Sequence, residues 1–187
     1  MNEWKKKHTI MQRYDTTAGI YDRRYAEEQE TKIEAAMRHF EMEKKSKILD
    51  AGCGTGLLFS HVGEKTRIVV GLDVSKKSLL VARGRVGALS NVDIVQADAD
   101  NMPFGKRVFS HVFAFTLIQN TPNPVETLRE LERVASKDAV LIVTGLKRIF
   151  TKEAFQALLH GAGVRIIAWE DGDNLKCYVA VCTAIGH

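Results

Sequence analysis

No stretch of this chain is long and apolar enough to cross a bilayer. The longest mainly apolar run, around Val112 to Ile118, falls far short of the ~20 residues that a spanning helix needs. The N-terminal segment, Met1-Asn2-Glu3-Trp4-Lys5-Lys6-Lys7, is charged and lacks the hydrophobic stretch of a secretory signal. Cysteine is scarce: Cys53, Cys177 and Cys182 are odd in number and form no C-x-x-C pair. They predict neither a disulfide framework nor a metal site, and free thiols suit the reducing cytoplasm. No internal repeat or low-complexity segment is visible.

What is there is an ordinary globular composition: 187 residues, 45% hydrophobic and 27% charged, with a net charge of +4. The most lopsided stretch holds Lys76, Lys77, Arg83 and Arg85 without an acid. It suits either an RNA phosphate backbone or a solvated helix face. The first 46 residues are charged and dotted with Tyr14, Tyr21 and Tyr25; only Ile33, Ala36, Met37 and Phe40 keep the spacing of one helix face. Residues 1–46 therefore read as a helical lid and residues 47–187 as the core.

From Lys47 onward, short apolar runs alternate with helical segments. The runs are Ile48-Leu49, Ile68 to Val70, Val92 to Val95, Val108 to Phe115, Ala139 to Val143, Val164 to Trp169 and Cys177 to Cys182. Ser75 and Thr151 are predicted N-caps, and Asn123-Pro124-Val125-Glu126 reads as cap, first-turn proline and capping-box acid. Alternation of this kind predicts parallel βαβ units with helices on both faces. Asp171-Gly172-Asp173-Asn174 replaces a helix before the last run, so the final two strands should form an antiparallel hairpin. The predicted fold is α/β, a Rossmann-like, mostly parallel seven-stranded sheet.

The strongest local signal is Ile48-Leu49-Asp50-Ala51-Gly52-Cys53-Gly54-Thr55-Gly56, a buried strand entering a glycine turn and then a helix. Gly52 and Gly54 let the backbone turn and approach a ligand where a Cβ would collide. A dinucleotide fingerprint needs glycine at position 57; Leu57 stands there, with the third glycine at Gly56. A carboxylate at a core strand end, Asp50, is costly unless a cation or donors meet it. A pyrophosphate would worsen that position and an amino-acid ammonium would relieve it. Asp73 ends the second strand, where it can accept ribose hydroxyls, and Asp98 follows the third, where it can accept an adenine amino hydrogen. Each could instead cap a helix or turn. Three acids at three successive strand ends point to a nucleoside ligand.

Residues Asp50 to Gly145 resemble a class I S-adenosylmethionine-dependent methyltransferase, in the broad group with the ubiquinone/menaquinone-biosynthesis and tRNA wobble-uridine enzymes. The matching pieces are Leu49 to Gly56, Gly71-Leu72-Asp73-Val74-Ser75, Ala97 to Phe104, Leu117 to Pro124 and Leu128 to Val134. The lead-in Tyr14 to Asp22 matches as well. The resemblance implies S-adenosyl-L-methionine as cofactor. Asp50, Gly52, Gly54 and Gly56 would cradle its methionine, Asp73 and Val74 the ribose side, Asp98 and Ala99 the adenine. Thr116 would lie beside the methionine, and Tyr14 or Tyr21 would close over it.

Where relatives often carry histidines this chain has Gln119 and Asn120, the best candidates for substrate contacts, and no His/Asp pair marks a general base. Methyl transfer by in-line displacement mainly needs alignment. His111 reads as a partnered strand residue. The minimal chain predicts an open site suited to RNA or protein, or to completion by a partner subunit. The group includes enzymes activated by a small protein docking along the third strand, here Val92 to Val95. A non-catalytic binding subunit, a small-molecule (quinone-type) methyltransferase and an NAD(P)-dependent oxidoreductase are the competing readings.

Overall fold

A computed structural model describes residues 3–87 and 89–184; the side chains at 3, 17, 18 and 20–24 lie outside the description. The elements are α1 (Glu3–Met37), β1 (Lys47–Ala51), α2 (Phe59–Val62), β2 (Ile68–Asp73), α3 (Lys76–Val86), β3 (Val92–Gln96) and β4 (Phe109–Ala114). They continue with α4 (Pro124–Val134), β5 (Ala135–Leu146), α5 (Lys152–Gly161), β6 (Val164–Glu170) and β7 (Cys177–Ala184). One seven-stranded sheet runs β3-β2-β1-β4-β5-β7-β6. The pairs among β1 to β5 are parallel, and β7 pairs antiparallel with both β5 and β6. All seven predicted runs are strands, and the C-terminal pair is the expected hairpin.

The central strands are apolar on both sides because both faces are covered. Leu49, Val112 and Leu141 point into a cluster with Leu128 and Leu131 of α4 and Phe155 of α5. Their neighbours Ile48, Phe113 and Ile142 point the other way, onto Phe59, Leu79 of α3 and Ile33 of α1. Each such fully buried side chain stabilises the fold by roughly 1.5–3 kcal/mol relative to exposure.

Two predicted helix starts hold as drawn: Ser75 Oγ accepts from Ser78 N at 3.1 Å, and Thr151 Oγ1 from Ala154 N at 3.2 Å. The Asn123 capping box does not form. No side chain caps α4, and the Asn123 carbonyl takes both Thr127 N and Thr127 Oγ1. The helix expected after the glycine turn shrinks to the four residues of α2 and a following 3-10 turn at Gly63–Lys65. No helix among the described residues is long and apolar enough to cross a membrane.

The order of strands reverses at β1, which lies between β2 and β4. In open α/β sheets, the crevice for a ligand opens outside the carboxyl ends of the strands at such a point. Asp50, Asp73, Asp98 and Thr116 all stand at or just beyond those ends.

Candidate functional site

The turn after β1 is shaped by three glycines with positive φ: Gly52 (+74°), Gly54 (+54°) and Gly56 (+79°). The amides of Gly52 and Cys53 both donate to the Leu72 carbonyl, at 2.7 and 3.0 Å, locking the turn onto β2. A Cβ on Gly54 would meet nothing within 4 Å and would project into open space. A Cβ on Gly56 would lie 2.5 Å from the Phe59 ring, so this glycine is required by packing. Gly52 and Gly54 line a cleft of about 100 Å³, together with Asp73, Val74, Asp98, Ala99 and Thr116. A smaller cavity of about 40 Å³ adjoins it, walled by Asp50, Cys53, Thr55, Gln29 and Phe115. Gly56 lines neither.

The three acids are held differently. Asp50 is 3% exposed. No hydrogen bond from a described group reaches its carboxylate, and burial, with nearby Asp73 adding repulsion, pushes it up to about 8. Asp73 is raised by burial too, but Gly54 N (2.9 Å to Oδ2) and Ser75 N (2.8 Å to Oδ1) offset part of that. Asp98 Oδ1 accepts from Asp100 N at 3.0 Å, while its Oδ2 is ion-paired to Lys7.

The cleft is partly covered. Helix α1 runs as one element of 35 residues and crosses it. Lys7, Ile10 and Tyr14 line the cleft. Asp15 accepts from Ser75 Oγ (2.6 Å) and Lys77 N (3.1 Å), fixing α1 to the start of α3. Further along, Gln29 Nε2 and Lys32 Nζ both donate to Thr116 Oγ1, at 3.2 and 3.3 Å. Sequence reading missed Lys7, Gln29 and Lys32. The signal was a polar stripe: Lys7, Tyr14, Gln29 and Lys32 are spaced 7, 15 and 3 residues apart, each near whole turns at 3.6 residues per turn.

Thr116 has a φ of +57°, which is uncommon for a β-branched residue and held here by surroundings. Its amide donates to Thr144 Oγ1 (2.8 Å) and its carbonyl accepts from Asn120 Nδ2 (2.7 Å). Asn120 lines the cleft and also donates to Tyr14 Oη at 2.9 Å. The Gln119 amide is buried with both polar atoms unbonded and is not among the residues lining the cleft. Tyr21 lies outside the described side chains. His111 sits well back along β4, bonded to Ser110 Oγ (3.0 Å) and the Glu41 carbonyl (3.1 Å), with burial lowering its pKa.

A methyltransferase-domain family model matches residues 49–143, which spans the glycine turn and all three acids. The chain belongs to that family and carries the class I S-adenosylmethionine-dependent methyltransferase fold. It is 30% identical over 151 residues to a demethylmenaquinone methyltransferase of Staphylococcus epidermidis, covering 75% of this chain and 61% of the relative. It is 28% identical over 144 residues to a malonyl-[acyl-carrier protein] O-methyltransferase of a Marinomonas species, covering 76% and 53%. The chain thus spans about three fifths or less of the length of these relatives. Among solved structures, a SAM-dependent methyltransferase from Aquifex aeolicus superimposes with a TM-score of 0.71 at 22% identity, covering 81% of this chain and 89% of that one. A methyltransferase solved in complex with the Haloferax volcanii Trm112 methyltransferase activator gives 0.78 at 15% identity, covering 93% and 98%.

Proposed function

We propose that this protein is an S-adenosylmethionine-dependent methyltransferase that binds its cofactor at the carboxyl ends of β1 to β4, beneath α1. The observation that carries the reading is Asp50, a buried carboxylate with no donor among the described residues and a pKa pushed up to about 8. What it lacks is a cation, and the amino-acid end of S-adenosylmethionine brings an ammonium. A nicotinamide dinucleotide would bring a pyrophosphate instead.

The remaining wall fits the same group. Gly52 and Gly54 leave room for the methionine to lie against the turn. Asp73, rigidly held by Gly54 and Ser75, keeps lone pairs for the two ribose hydroxyls. Asp98 and the Ala99 backbone receive the adenine, with Val74 beside it. Tyr14 closes over the cleft from α1, and Thr116 faces the methionine end. The cofactor supplies a methyl group on a positively charged sulfur, open to in-line displacement. Alignment of this kind is worth roughly 7–11 kcal/mol, and the protein supplies it by fixing the cleft and covering it. Residues 1–46 act as a lid and residues 47–187 as the cofactor-binding core. Three free, buried thiols at Cys53, Cys177 and Cys182 suit the cytoplasm.

Enclosure under α1 favours a small acceptor over RNA or a folded protein. The name of one matching relative, a demethylmenaquinone methyltransferase, supports the same choice. A second reading, activation by a small partner protein, draws on β3, the strand that ends the sheet. Ile94 packs toward the core there, whereas Asp93 is exposed, so Asp93 is the residue to alter in a docking test.

Calorimetric titration with S-adenosylhomocysteine tests the cofactor. Binding by wild type and its loss in a folded Asp50→Asn protein are expected; no binding by the wild type would overturn the reading. Transfer of labelled methyl into fractionated small molecules, RNA and protein then separates an enzyme from a non-catalytic subunit. Label in the RNA or protein fraction alone would contradict the small-acceptor choice.

A further inference from the structure

Lys32 is a lysine with no exposed surface, on the face of α1 that covers the site. Its Nζ lies 2.7 Å from Glu28 Oε1 and 3.3 Å from Thr116 Oγ1. Burial raises the Glu28 pKa, but hydrogen bonds from Lys32 and Lys176 outweigh it and hold the carboxyl below its usual range, hence ionised. Two lysines therefore flank one carboxylate, Lys32 buried and Lys176 at the surface. The neighbouring Cys177 thiol, pushed up to about 11 by burial, stays neutral.

A threonine hydroxyl has one proton and two lone pairs. Gln29 Nε2 and Lys32 Nζ occupy the lone pairs of Thr116, and no acceptor among the described residues takes its proton. Thr116 lines the cleft. Its hydroxyl is thus oriented as a donor, and hydrogen bonding to a cation strengthens it in that role.

We propose that Thr116 and Lys32 form a site for an anionic oxygen, so that the methyl acceptor is an oxygen acid, an enol, phenol or carboxyl group bound as its anion. This rests on the methyltransferase reading and names the acceptor class. The acceptor gives its proton to solvent on binding, the Thr116 hydroxyl donates to the resulting oxygen anion, and Lys32 supplies the charge behind it. A general base is then unnecessary, in keeping with the partnered His111 placed well back along β4. The same chemistry could instead serve the carboxylate of the cofactor's own amino acid, and the test separates the two.

The probe is 4-nitrophenol, whose anion absorbs visibly, added at a pH one unit below its pKa to protein saturated with S-adenosylhomocysteine. Wild type should raise the anion absorbance, and Lys32→Met and Thr116→Val should each weaken that response by about tenfold. The affinity of Lys32→Met for S-adenosylhomocysteine should stay within about twofold of wild type. Thr116→Val leaves the Glu28–Lys32 pair intact, so it reads the site even if Lys32→Met unfolds. A probe that stays neutral on wild type overturns the proposal, as does an equal response from a folded variant. A tenfold loss of S-adenosylhomocysteine affinity in folded Lys32→Met would also overturn it, assigning the cation to the cofactor's carboxylate. Failure of wild type to bind S-adenosylhomocysteine at all would instead strike the methyltransferase reading.

Discussion

Lys7 Nζ lies 2.5 Å from Asp98 Oδ2, so the first turns of α1 already occupy an acceptor that the cleft would offer to a nucleobase. The same ammonium lies 2.6 Å from Asp100 Oδ2. On the proposed cofactor reading, an adenine amino group would compete with Lys7 for Asp98. Pairs of this partly exposed kind contribute about 0.2–1 kcal/mol. Lys7→Met is therefore expected to tighten S-adenosylhomocysteine binding by about 1.4- to fivefold and to flatten its salt dependence. Calorimetry at low and high sodium chloride measures both; weaker binding would mean that Lys7 helps to hold the ligand.

Gly54 separates ligand space from protein packing. With nothing within 4 Å of a built Cβ, Gly54→Val should fold, at a cost of about 1–2 kcal/mol for a β-branched residue at positive φ. Cofactor binding should nevertheless be lost, because the new side chain fills the cleft. A thermal melt and a titration on the same sample check the pair of outcomes, and normal binding would move the cofactor away from this turn.

Asp73 has two tasks. Its oxygens secure Gly54 N and Ser75 N, and its remaining lone pairs face the cleft. Asp73→Ala should weaken cofactor binding by about 1.5–3 kcal/mol and lower stability by about 0.5–2 kcal/mol. Denaturant titration would separate the two losses. An unchanged midpoint with weakened binding would show that the turn does not depend on this carboxylate.

Much of this was legible in the sequence because the relevant physics is local. A strand ending in Asp50 and running into Gly52 and Gly54 states its turn and its unusual charge within a few residues. The hairpin was announced by Asp171-Gly172-Asp173-Asn174, and the caps at Ser75 and Thr151 by their own side chains. The Asn123 box failed at its acid: Glu126 pairs with Arg129 Nη1 (2.9 Å) one turn on, a partner the four-residue motif does not include.

Helix α1 was legible only at its end, where Ile33 and Ala36 meet the core. Over the cleft its inward face is polar, so a search for apolar periodicity passed over Lys7, Gln29 and Lys32. The partial cover of the cleft was illegible for the same reason: it is one helix joined by ion pairs and hydrogen bonds.

The central claim is that Asp50 waits for the cofactor's ammonium, and its proton can be counted. A carboxyl raised from 3.8 to about 8 is protonated in the free protein at neutral pH. The native state then holds more protons than the unfolded one, so ligand-free stability should fall as pH rises from about 4 to about 8 and level off above. Asp50→Asn should remove that slope. Pairing with an ammonium returns the group to its charged form and expels the proton. Titration of S-adenosylhomocysteine at pH 7, in buffers of different ionisation enthalpy, should therefore show release of about one proton per ligand bound. Binding with no proton exchange in any buffer would contradict the account.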